Sequence, residues 1–192
     1  MSSRSPEVDE VLEASGWMPG RRVDTARWRS TFEAVGLAMH DAAEAFLQEF
    51  GGLTVNVSGP GISCARTPFE LDPELAWGED DRFTEWGEAI GRHLYPLGEL
   101  DHGRFFLGID EVGVIYLVET WVASFGPMPQ AMENLVLGVV PRRIDEGYEP
   151  AGQPSPFLRP QARRRQAAHP GRPRPRPPTC RPVGPAARRT VL

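Results

Sequence analysis

The acidic residues of this chain stop at Glu149, and that boundary decides how much of it can fold. Residues 1 to 150 hold all 26 aspartates and glutamates against 11 arginines, a net of −15. Residues 151 to 192 hold ten arginines, ten prolines and no acid, a net of +10. A proline-rich, uniformly positive segment with scattered apolar residues cannot bury enough surface to offset the entropy of ordering, so it is predicted to be a disordered tail. The first 150 residues suffice for one domain with a core of its own. The division is therefore a domain at 1–150 and a Pro/Arg-rich tail at 151–192, and the overall charge of −5 describes neither part.

Within the body, Trp17, Trp28, Trp77, Trp86 and Trp121, with eight of the nine phenylalanines, supply aromatic material for burial. Cys64 and Cys180 fall on opposite sides of the boundary and form neither a disulfide framework nor a metal-ligand spacing, which fits a reduced interior. Nowhere do about 18 apolar residues run together, the length a membrane-spanning helix needs. The expected location is the cytoplasm. Every basic side chain is arginine and lysine is absent, a bias expected of a GC-rich bacterial genome.

Periodicity predicts an α+β fold, an antiparallel (or mixed) meander with helices packed on one side. Pro6 opens a first helix carrying Val8, Val11 and Leu12 and ending near Gly16. Trp28, Phe32, Val35, Phe46, Leu47 and Phe50 recur at helical spacing up to Gly51, with an interruption expected near Gly36. Leu53 to Ser58 alternates apolar with polar as a half-buried strand does, and Phe69 to Leu71 suggests a short one. Asp80 and Asp81 are expected to cap a helix bearing Phe83, Trp86, Ile90 and Leu94. Four strands are expected at Tyr95–Leu100, Arg104–Ile109, Val114–Glu119 and Trp121–Ser124, then a helix opened by Pro127 and Pro129 and closed at Gly138, with Pro141 marking its end.

Candidate catalytic chemistry is thin. His40, His93 and His102 lie in different elements and form no helical metal pair. Glu79-Asp80-Asp81 lacks the offsets of a calcium loop, and helix capping explains it better. Ser58-Gly-Pro-Gly61 has no phosphate-loop lysine and reads as a tight turn, and neither Ser63 nor Cys64 has an identifiable base. No cofactor, metal or catalytic residue is assigned, and the expectation is a protein that is not an enzyme.

The excess of acid has two readings, solubility or a negative face for a basic partner protein. On the second, Glu79, Asp80, Asp81, Glu99, Asp101, Asp110 and Glu111 are the candidate contacts. Trp121 and Phe125 are candidate aromatic anchors, with core packing at the sheet edge as their other reading.

The run Asp41-Ala-Ala-Glu-Ala-Phe-Leu-Gln-Glu-Phe-Gly-Gly-Leu53, then Pro68-Phe-Glu-Leu-Asp-Pro73, Leu97-Gly-Glu-Leu-Asp101 and Phe106-Leu-Gly-Ile-Asp-Glu-Val-Gly113, resembles the SUKH superfamily of bacterial immunity proteins. The third SUKH subgroup is the one it resembles most, and Trp17, Arg21 to Asp24, Trp28 and Ala131 to Gly138 fit as well. The likeness spans roughly residues 10 to 145. It implies a cytoplasmic α+β domain that binds and neutralises a toxin domain, often a nuclease, of a polymorphic or contact-dependent toxin system. It implies a binder rather than an enzyme, and it transfers no contact residue. The tail falls outside it, either as a basic arm for nucleic acid or for the domain's own acidic face, or as dispensable sequence from a shifted reading frame. A nucleic-acid-associated regulator using that arm is the alternative function.

Overall fold

The computed structural model describes residues 4–144. The expected disordered tail at 151–192, and residues 145–150 of the expected domain, lie outside the described residues.

Five α-helices and seven strands follow one another as α1 (Pro6–Ala14), α2 (Ala26–Glu33), α3 (Asp41–Phe50), β1 (Thr54–Val55), β2 (Phe69–Glu70), a 3-10 turn (Pro73–Ala76), α4 (Asp80–Ile90), β3 (Tyr95–Leu100), β4 (Phe105–Ile109), β5 (Val114–Val118), β6 (Val122–Pro127), α5 (Gln130–Leu137) and β7 (Arg142–Ile144). The strands form a single antiparallel sheet whose spatial order, β1 to β7, is the order of the chain. This is the α+β antiparallel meander that periodicity predicts.

The expected long helix is two helices. Gly36 adopts φ +90, which ends α2, and His40 then starts α3 as its N-cap, its Nδ1 accepting from the Ala43 N–H at 3.2 Å. Leu53, Val55 and Val57 are all buried, so the alternation there is real, yet only two residues pair. The partner strand sets that limit, because Pro68 precedes it with no N–H to extend the ladder. Leu94 lies beyond α4, which closes at Gly91 in the left-handed conformation. The seventh strand was not expected; β7 pairs Ile144 with Val122 and Arg142 with Ser124.

Successive residues of a strand face opposite sides, and this sorts the helices. Phe105, Leu117 and Phe125 share a cavity wall with Leu135 of α5, and Tyr95, in register with Ile109, packs on Phe32 of α2. Phe106 and Gly108 point the other way, against Phe83 of α4. So α1, α2, α3 and α5 cover one face, and α4 covers part of the other. The one-sided arrangement expected from the sequence needs that amendment. The reason is visible in α4, whose buried stripe Phe83, Gly87 and Ile90 is as apolar as those of its neighbours and needs a sheet face of its own.

Candidate partner-binding surface

Asp110 is the one charged group fully enclosed among the described residues. Its carboxylate accepts from the N–H groups of Val112 (3.0 Å) and Val114 (2.8 Å) and from the Tyr116 hydroxyl (2.9 Å). These bonds build the β4–β5 turn. As an exposed contact for a partner, the role expected of it, Asp110 is ruled out by burial. Phe125 is likewise core, at 4% exposure.

Several of the other expected acids are spent on arginines. Glu79 occupies the N-cap position of α4 without capping it; its carboxylate instead meets Arg82 at 2.8 Å, while Arg82 also reaches Glu119 at 2.8 Å and lies over the Phe106 ring. Asp80 and Asp81 sit in the first turn of the helix rather than at its cap, where their charge still suits the dipole. Asp101 pairs with Arg104 at 3.4 Å. Glu111 accepts from the His93 N–H at 2.8 Å and faces Arg92 at 3.5 Å. Burial alone would raise the Glu111 carboxyl, but the His93 N–H and the Arg92 charge together hold it below the usual carboxylate range.

Glu99 is different. It stands directly across from Glu70 in the β2–β3 ladder, and burial, reinforced by that like charge, lifts its carboxyl above the usual range against the opposing pull of His102 and the Gly103 N–H.

Among the described residues, no ion pair engages Asp80, Asp81, Glu85 or Glu88, all on α4. Asp81, Glu85 and Glu88 are exposed and recur at i, i+4 and i+7, so they form one outward stripe opposite the buried Phe83, Gly87 and Ile90. Glu85 and Glu88 were missed in the sequence, although their spacing from Asp81 carried the signal. Just before the stripe stands Trp77, 57% exposed although its ring type suggested burial. Trp121 is half-buried, edge-on to Phe105 and beneath the Arg143 guanidinium. The expected acids thus do not gather into one patch, and α4 carries four acids that no arginine among the described residues pairs.

Residues that sequence reading tested for catalysis have structural work. His40 accepts from Ala43 through Nδ1 and lies 3.3 Å from the Ile109 carbonyl through Nε2, two contacts that one neutral tautomer satisfies. The glycine-rich loop after β1 turns its N–H groups onto the end of α5: Ile62 donates to the Leu137 carbonyl, and Ser63 and Cys64 donate to that of Gly138. It caps a helix C-terminus and presents no cradle of donors to a phosphate. Cys64 lines a cavity of about 110 Å³ with Leu117, Phe125 and Leu135, and none of the described histidines lines it. Among the described residues no group of three or more His, Cys, Asp or Glu is placed to hold a metal ion, and no helix is long and apolar enough to cross a membrane.

A family model described as SUKH-3 immunity protein matches residues 4–138, from the residue before the α1 cap through the end of α5. No curated protein and no solved structure matches the chain.

Proposed function

This chain belongs to the SUKH-3 immunity protein family, and from that membership we infer that it protects its cell by binding a cognate toxin domain of a polymorphic or contact-dependent toxin system. The family match over residues 4–138 carries the reading. The toxin is a nuclease. A nuclease must present positive charge to hold a phosphate backbone, and a body of net −15 is suited to attract it and to compete for the same surface. The acids of α4, Asp80 and Asp81 among them, are the first contacts, and Glu79, Glu99, Asp101, Glu111 and Trp121 are further candidate contacts outside that stripe. Neutralisation is by occupation or distortion of the toxin's active site, in the cytoplasm, and involves no chemistry by this chain.

Growth rescue tests it. The full chain and residues 1–150 are each co-expressed with the C-terminal domain of the toxin candidate encoded beside it. Rescue by the full chain, with a complex recovered on co-purification, supports immunity. Folded protein that neither rescues growth nor binds any neighbouring toxin domain would sink the proposal.

A further inference from the structure

Among the described residues Trp77 is the one aromatic side chain that stands mostly in solvent, and a connected set of contacts holds it there. The Trp28 indole donates to the Asp72 carboxylate at 2.9 Å, the same oxygen accepts from the Glu74 N–H at 3.0 Å, and the Arg27 guanidinium meets Glu74 at 2.7 Å. These bonds clamp the 3-10 turn Pro73–Ala76 onto α2. At the end of that turn the Trp77 N–H donates to the Glu74 carbonyl at 3.1 Å, and the Trp77 ring lies edge-on to Phe32 at 6.0 Å. Phe32 in turn stands edge-on to the buried Tyr95 at 5.7 Å. Covering Phe32 takes one edge of the indole, and the residue stays 57% exposed. An aromatic side chain fixed before a partner arrives has little rotamer freedom left to lose, and tryptophan is among the residue types that most often carry the binding energy of a protein interface.

Leu75, 41% exposed, precedes Trp77 by two residues, so the two apolar side chains spring from backbone no more than about 7 Å apart. The chain from Glu70 to Asp81 carries six acids and no base. Glu74 and Asp80 each lie three residues from Trp77, which keeps their Cα atoms within about 11 Å of its own. An apolar centre with an acidic rim is complementary to an apolar socket rimmed by lysine or arginine. We propose that Trp77, with Leu75 beside it, is the anchor of the immunity interface, taken into an apolar socket with a basic rim on the cognate toxin domain. This rests on the immunity reading and adds to it the residue that carries most of the affinity. The acids at the rim speed and orient the encounter, whereas the buried indole sets how slowly the complex comes apart.

The test uses the full chain and the C-terminal domain of the toxin candidate encoded beside it. Trp77→Ala should weaken the complex about thirtyfold or more, and the factor should persist at high salt because no charge is removed. Leu75→Arg leaves the contact between Trp77 and Phe32 in place and should weaken the complex about tenfold or more, by crowding the socket and repelling its rim. In the parent chain labelled with fluorotryptophan, the fluorine resonance of Trp77, assigned with W77F, should move on binding and lose its solvent isotope shift. Those of the buried Trp17 and Trp28 should stay. If Trp77→Ala folds poorly on losing Phe32, Leu75→Arg and the fluorine signal decide. Parental affinity in both variants, or a complex in which the Trp77 resonance does not move, would overturn the anchor and leave immunity standing. A folded parent chain that binds no neighbouring toxin domain would take down both.

Discussion

Tyr116 donates its hydroxyl to the carboxylate of Asp110 at 2.9 Å, and both side chains are buried, Asp110 completely. A carboxylate enclosed in this way is tolerated because every approach to it is a donor: two backbone N–H groups, one phenol and, farther off at 3.7 Å, the Arg92 guanidinium. Removing it strands those donors. Asp110→Ala should cost about 3 kcal/mol or more, and Tyr116→Phe about 1–2 kcal/mol, read from the denaturant midpoint at constant slope. An Asp110→Ala protein as stable as the parent would mean that the turn is not held by this carboxylate.

On the outward stripe of α4 the expectation is the reverse, altered recognition with an intact fold. Asp81→Lys, Glu85→Lys and Glu88→Lys together should leave the melting temperature within a few degrees. They should slow association with a basic toxin domain by about tenfold or more at low salt, and the gap should narrow as salt rises. Stopped-flow association with the cognate partner measures this. Equal rates for parent and variant at low salt would move the interface away from α4.

The Glu70–Glu99 pair gives a pH dependence with a definite sign. Because the folded state raises the Glu99 carboxyl, its contribution to stability is present below the unfolded value of about 4.3 and is lost as pH rises through the folded value. Glu99→Gln should therefore stabilise the protein at pH 7 by a few tenths of a kcal/mol. The advantage should vanish below about pH 4, where the raised Glu99 carboxyl is itself protonated and carries no charge. Paired thermal melts across that range decide it, and a destabilised variant at pH 7 would show that Glu99 serves another partner.

Gly98 marks the tightest approach in the sheet. It sits at φ +146 in the irregular stretch of β3, and a Cβ there would lie 1.9 Å from the Glu70 carbonyl oxygen and 2.9 Å from the Asp72 nitrogen. Gly98→Ala combines a backbone conformation that side chains rarely adopt with a clash against backbone that cannot swing away. A loss of about 3 kcal/mol or more is expected, with the β1–β2 edge exchanging its amides first. Unchanged hydrogen exchange at Phe69 and Glu70 would count against this reading.

Helices α1 and α5 and strands β3 to β6 were legible because each carries a complete local signal: Pro6 and Gly16 bracket the first helix, Gly138 ends the last, and turn residues separate runs of Val, Ile, Leu and Phe. The seventh strand was not, since Arg142-Arg143-Ile144 is too short to show a period and becomes a strand only where Val122 offers an edge. The placement of α4 on the second face was equally hidden, because amphipathicity gives a helix a buried side and leaves open which face of the sheet will bury it. For the surface, counting acids found the charge but not its compensation. Asp110 reads like Asp81 in a sequence. One closes a turn inside the protein and the other faces solvent, and only the positions of Arg92, Tyr116 and two backbone amides tell them apart.

The strand order β1 to β7 has a consequence for how the chain comes off the ribosome. Each strand lies beside the one synthesised just before it, so no strand must wait for a later partner out of order, and strand can be added to strand as the chain is made. By the time β7 emerges every other seam of the sheet can already be closed, so a member of an immunity protein family reaches its folded form with little delay after synthesis.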